Sequence, residues 1–107
     1  MNEPLLPSIE IEQPVDADLP AFDGHFPGAP VLPGAMLLAL VLRAIARQPA
    51  WASKAGPTPC VQQVKFLAAV GPGQRLHIRL NDSARAIGFS VHNGETVVAR
   101  GQIQATP

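Results

Sequence analysis

The stretch DGHFPGAPVLPGAMLLALVLRAIAR, residues 23–47, decides how this chain folds. Its first half sets one histidine, His25, among Pro27, Gly28, Pro30, Pro33 and Gly34. Proline fixes its own φ and removes a backbone donor, so such a loop is stiff without being helix or strand. The second half carries Met36, Leu37, Leu38, Leu40, Val41, Leu42 and Ile45, with Arg43 the only charge before Arg47. Pro33 in front and Pro49 behind bracket a helix over residues 34–48. Apolar side chains occupy nearly its whole circumference, and a helix of that kind is expected to be buried on all sides. In a chain of 107 residues only a sheet wrapped around it can supply that cover.

The flanking sequence supplies such a sheet. Ile9, Ile11 and Val15 alternate with Glu10, Glu12 and Gln13 as a short first strand, after a loose tail over residues 1–7. Prolines and glycines are too dense over residues 14–33 for regular structure, so a long ordered loop is expected there, of the kind that usually carries function. Residues 60–70 read as a strand ending at the turn Gly71-Pro72-Gly73. Leu76, Ile78 and Leu80 alternate with His77 and Arg79, and Ile87, Phe89 and Val91 repeat the pattern. Asn93-Gly94 is a strong hairpin signal, and residues 96–105 complete an antiparallel meander. The expected order is strand, long loop, buried helix, then four strands, in a single domain over residues 1–107.

Eight basic side chains offset eight acidic ones, and 47% of the residues are hydrophobic. That balance fits a globular chain and offers no basic block to neutralise phosphates, so nucleic acid is not an expected partner. Cys60 is the only cysteine, which rules out an internal disulfide and a cysteine-based metal cluster and suits a reducing cytoplasm. The N-terminal residues lack a signal-peptide pattern, and the apolar run over residues 34–42 is too short to span a bilayer. A soluble cytoplasmic protein is expected. Small neutral domains with apolar surface tend to associate, so a homodimer is expected too.

GHFPGAPVLPG, from Gly24 to Gly34, resembles the signature of the FabZ/FabA-like 3-hydroxyacyl-acyl carrier protein dehydratases, whose pattern is close to GHFPGxPVxPGxLxxE. VKFLAAVGPGQRLHIRL, over residues 64–80, is similar to the strand that follows the helix in that family and to its PGD-type turn. The resemblance covers most of the chain. It implies the α+β hotdog fold, an antiparallel sheet wrapped around one central buried helix.

The resemblance also implies a chemistry. Dehydrating a 3-hydroxyacyl thioester means removing a C2 proton, polarising the thioester carbonyl and protonating the departing hydroxyl. His25 matches the family's base. Gly34 matches the residue whose amide, at a helix N-terminus, meets the carbonyl oxygen. Val31 matches a residue expected to offer its carbonyl to the histidine, and Phe26, Pro33 and Met36 fall where core or tunnel lining is expected. No metal and no organic cofactor is implied. The acyl group would arrive on acyl carrier protein or coenzyme A.

One requirement is unmet. The family places Glu or Asp fourteen residues after the histidine, where this chain has Ala39, and usually glutamine one turn later, where it has Arg43. The partner subunit's helix normally presents that acid, so a homodimer would lack it in both sites. Three readings follow: a dehydratase or dehydratase-like enzyme, a non-catalytic thioester-binding subunit that pairs with an active hotdog homologue, or a thioesterase. Asp23 is the nearest loop acid that could replace the missing one, although an Asx turn is its ordinary role. Asp16 and Asp18 are weaker candidates. Arg43, Arg47, Lys65 and Arg75 could together dock an acidic carrier or a phosphopantetheine phosphate. His77 and His92 read as solvated surface without metal-ligand spacing, Cys60 as buried filler, and Trp51 as a cap on the core or an interface.

Overall fold

The computed structural model describes residues 5–18, 31–83 and 85–105. In chain order these form β1 (Ile9–Pro14), α1 (Gly34–Ala46), α2 (Pro49–Ala55), β2 (Pro59–Phe66), β3 (Arg75–Asp82), β4 (Ile87–Asn93) and β5 (Thr96–Ala105). All the strand pairings are antiparallel, and the sheet order is β1-β3-β4-β5-β2. Consecutive hairpins join β3, β4 and β5, while β1 and β2 hold opposite edges. The α+β hotdog arrangement expected from the sequence is what the chain adopts.

Period-two alternation sorts the sheet into two faces. Leu76, Ile78 and Leu80 on β3 are fully buried, as are Ile87 and Val91 on β4 and Ile103 on β5. They join Leu37, Val41, Ala44 and Ile45 of α1 in one core. Trp51 and Ala55 of α2 belong to that core as well. Trp51 is therefore a core side chain.

Three expectations need correcting. Pro49 does not simply end the first helix; it occupies the first turn of a second one, where a missing N–H costs nothing. The axes of α1 and α2 meet at 117°, and neither helix alone is long and apolar enough to cross a membrane. Nor is α1 buried on all sides. Ala35, Met36, Ala39, Arg43 and Ala46 are exposed, so among the described residues the sheet covers one face and leaves the other open. The apolar circumference signalled a need for cover that this one chain does not fully meet. Strand β2 also stops at Phe66, short of the expected Val70.

Ion pairs on the outer face follow the register. Glu10 pairs with Arg79 and Glu12 with Arg75 across β1 and β3. The hydrogen bond from Arg79 holds the Glu10 carboxyl below the ordinary carboxylate range. Asp82, at the end of β3, has a more structural place. Its Oδ2 accepts the Leu6 amide at 2.7 Å, and Lys54 Nζ of α2 lies 2.6 Å from Oδ1. That second contact is an ion pair to an oxygen covered from solvent. The Lys54 ammonium also donates to the Ser83 carbonyl at 2.8 Å.

Lys54 and the Leu6 amide together hold the Asp82 carboxyl below its usual value. A depressed carboxylate contributes stability that is full above its unfolded pKa and fades as pH falls through its folded one. Thermal melts should therefore show wild type losing an increment on acidification below about pH 4 that Asp82→Asn lacks. At neutral pH Asp82→Asn should melt lower than wild type. Equal acid slopes for the two proteins would remove Asp82 as a fastening point.

Candidate functional site at the start of the central helix

Of the residues expected at the site, His25 and Phe26 lie outside the described residues, as does Asp23. Val31, Pro33, Gly34, Ala39 and Arg43 are described. Both flanks of the long loop are tied to one turn. The Val15 amide donates to the Gln74 carbonyl, and Gly73 donates back to Val15. Leu32 donates to the Val70 carbonyl at 2.7 Å. Buried Val15, Leu32 and Val70 reinforce these bonds. The turn that follows β2 thus fixes where the loop leaves the sheet and where it re-enters the helix.

Pro33 is the N-cap of α1, with extended backbone and no capping side chain. Its carbonyl accepts from the amides of both Met36 and Leu37, at 3.0 and 3.1 Å. The amides of Gly34 and Ala35 precede these first bonds and have no acceptor within the helix. No acid stands in the first turn to answer the positive end of the dipole. The chemistry available here is donation to a negatively charged or strongly polarised oxygen.

Phe66 explains why position 34 is glycine. A Cβ there would lie 2.8 Å from the Phe66 ring tip. The ring, half exposed at the end of β2, rests on the helix start. Met36, two residues into the helix, and Leu67, next to Phe66, are also exposed large apolar residues. Sequence reasoning placed the strand but missed this contact, because nothing in the spacing of Gly34 and Phe66 reveals it.

Ala39 is exposed on α1, and Arg43 is exposed one turn further along the same face. The wider basic patch does not assemble. Arg75 is committed to Glu12, and β3 lies three strands from β2, roughly 14 Å away. Lys65 sits instead opposite Arg100. Both line a hollow of about 710 Å³ beside Ser90 and Gln102 on the outer face. That hollow lies across the sheet from α1 and shares nothing with the helix start.

The remaining candidates fall away from the site. Asp16 accepts the Asp18 amide at 2.9 Å in a local turn. Cys60 is half-buried on the outer face of an edge strand, so it is not buried filler. His77 and His92 face each other across β3 and β4, a pairing their sequence separation conceals. His92 Nε2 lies 2.8 Å from Ser90 Oγ, and burial, then Arg79, hold its imidazole below the usual pKa. Both rings are half-buried, less solvated than expected. No cluster of three metal-ligating side chains occurs among the described residues.

The ApeI-like family model, whose description is ApeI dehydratase, matches residues 3–102. A 3-hydroxyacyl-[acyl-carrier-protein] dehydratase FabZ from Pelotomaculum thermopropionicum is 34% identical over 70 residues, covering 62% of this chain and 50% of its own. The chain thus spans about half the length of that curated relative. Among solved structures, the dehydratase heterocomplex ApeI:P from Xenorhabdus doucetiae aligns with a TM-score of 0.69 at 22% identity, covering 97% of both chains. A variant of the fluoroacetyl-CoA-specific thioesterase FlK aligns with a TM-score of 0.65 at 19% identity, over 96% of this chain and 86% of that one. These two likenesses establish the fold.

Gly34→Ala tests the contact at the helix start. The blocking atom is the tip of a half-exposed ring, and alanine suits a helix, so stability should change by no more than about 1 kcal/mol. The Phe66 ring resonances should move in NMR spectra, since the ring must yield. An unchanged ring environment would show that Phe66 does not rest on Gly34.

Proposed function

Because the chain belongs to the ApeI-like dehydratase family, we propose that it handles 3-hydroxyacyl thioesters in the manner of a FabZ-like dehydratase. The observation that carries this reading is the GHFPGAPVLPG match running into a helix whose leading amides are free of intrahelical acceptors. His25 takes the C2 proton as a neutral imidazole. The Gly34 amide receives the charge that builds on the thioester oxygen. The C3 hydroxyl then leaves with a proton as water, giving the trans-2-enoyl thioester. Val31 is assigned to orient the histidine, and Phe26 and Pro33 to line the acyl path. Acyl carrier protein or coenzyme A delivers the substrate in the cytoplasm.

The proton for the leaving hydroxyl needs a donor, and Ala39 cannot be one. A positioned general acid is worth about a hundred- to ten-thousand-fold in rate. This favours a second reading, in which the chain pairs with a hotdog homologue that carries the acid and itself contributes His25 to the shared site. Two features support association of either kind. Among the described residues, strand β2 pairs only with β5 and has one open edge, and α1 has an uncovered face. A thioesterase reading would need Asp23 to activate water, and only its proximity to His25 in sequence supports that.

The discriminating test replaces Ala39 with Glu and Arg43 with Gln in one chain. Arg43 beside a new carboxyl would favour its ionised form, and its removal keeps the acid protonated. The double variant should dehydrate 3-hydroxyacyl thioesters at least about tenfold faster than wild type, short of the full range because its surroundings were not built for it. Fast turnover by the unmodified homodimer would show that another group already donates. No gain in a folded, thioester-binding variant would favour a binding subunit. Asp23→Asn should leave thioester hydrolysis unchanged unless the thioesterase reading is right.

Association has its own check. Sedimentation at micromolar concentration should show a species larger than the 11.3 kDa chain, alone or with an acid-bearing homologue. A monomer in both experiments would remove the two-chain site.

A further inference from the structure

Charge is distributed unevenly over the outer face of the sheet, away from the helix start. Strand pairing lines up Glu10, Arg79, Ser90, Arg100 and Lys65 across the five strands. At the β1 end the charges cancel, with Arg79 2.9 Å from Glu10. At the β2 end they do not. Lys65 stands directly opposite Arg100, and among the described residues neither has a carboxylate partner. Like charges facing each other across two strands destabilise the pair. The bulge in β2 creates this opposition. Gln62 pairs with Gln102, so an unbroken ladder would set Val64 opposite Arg100; the register shift puts Lys65 there instead. A slip of one residue exchanges the two faces of a strand, so the bulge turns Lys65 to the outer side. Gln63, whose φ is 54°, borders the same hollow of about 710 Å³ as the two cations.

Gly88 also lines that hollow, and the fold itself does not call for a glycine there. It is laddered on both sides, to Asn81 and to Gln102, and its φ is not positive. An added Cβ would meet nothing closer than the Asn81 carbonyl oxygen at 3.7 Å, an ordinary contact. Gly101 is different, because the Phe89 ring lies 2.9 Å from where its Cβ would stand. Glycine weakens a strand and marks places where a ligand or another backbone comes close. Here it leaves a strip of bare backbone two residues along β4 from Ser90, roughly 7 Å from the row of the two cations. The carboxamides of Asn81 and Gln102 flank the strip and offer both donors and acceptors.

We propose that this outer-face hollow binds a phosphate monoester carried on a polar ring, the chemistry shared by sugar phosphates and mononucleotides. The phosphate lies between Lys65 and Arg100, and the ring lies on the backbone at Gly88. Arg100 meets two phosphate oxygens with its planar fork, while Lys65 supplies a compact second charge. A dianion between them relieves their mutual repulsion. The volume is within the range of about 300–1,000 Å³ usual for small-molecule sites. Because the sheet separates this hollow from α1, its ligand is a different molecule from the acyl thioester, and the inference does not depend on that reading.

The experiment is an NMR titration of the full chain at low salt with inorganic phosphate, ribose 5-phosphate and AMP, followed at the amides of Gly88, Ser90 and Arg100. Ribose 5-phosphate should bind about tenfold more tightly than inorganic phosphate, because its ring adds hydrogen bonds beside Gly88. AMP should bind tighter still if the occupant is a mononucleotide, and no tighter if it is a sugar phosphate. Lys65→Gln combined with Arg100→Gln should weaken all three ligands by at least about tenfold. Gly88→Val should weaken only the two esters, again by about tenfold, and its melting temperature should not fall, since valine suits a strand. A marked fall in that temperature would show that the fold requires the glycine and would overturn the ring's place on it. Binding that survives loss of both cations, or no shift at these amides with any of the three ligands, overturns the site and leaves the thioester reading untouched.

Discussion

One face of α1 buried against the sheet is the contact on which everything else here depends. Leu37, Val41, Ala44 and Ile45 meet the fully buried row of β3, β4 and β5, and the helix axis is set by that contact. Fixing the axis fixes the direction in which the leading amides of Gly34 and Ala35 point. It also places the opposite helix face outside the core. Large-to-small changes in such a row cost several kcal/mol, so the helix start is aimed by the most stable part of the molecule. A donor array that need not reorganise as charge develops is the kind that stabilises a transition state.

Much of this was legible in the sequence, for identifiable reasons. Strands β3 and β4 declared themselves because one face is apolar and the other polar, a pattern that survives without knowledge of neighbours. Asn93-Gly94 marked the hairpin between β4 and β5, and Gly94 has the positive φ that such a turn requires. The helix was visible from its apolar run and its prolines. Pro49 misled because a proline beyond a helix can either stop the chain or begin the next helix. Only the burial of Trp51 and Ala55, a tertiary fact, distinguishes the two. The dispersal of Arg43, Lys65 and Arg75 was equally hidden. Sheet order, which puts β2 beside β5 and far from β3, cannot be read from element order alone.

The open edge of β2 is not a plain one. Its register with β5 shifts between Gln62 and Lys65, and Gln63 takes a φ of 54°, the only positive value at a non-glycine residue among those described. Such a conformation costs of order 1 kcal/mol or more and persists where the surroundings demand it. Gly101 across the ladder leaves space for it, since a Cβ there would meet both Phe89 and Val64. A bulge bends and twists an edge, which discourages indiscriminate pairing. Beyond it, residues 65–66 resume the ladder and carry Phe66 onto Gly34. The irregular edge and the helix start are therefore parts of one arrangement.

The substitution at position 39 has its meaning in the same geometry. Ala39 lies on the open face of α1, turned away from the sheet that covers Val41 and Leu37. A side chain there can do little for its own chain's core, and its removal costs the fold nothing. A group at that position points away from the core of its own chain, so exchanging it leaves the packing of α1 unchanged. That is why position 39 can change without disturbing the packing of Leu37, Val41, Ala44 and Ile45 that aims the helix start.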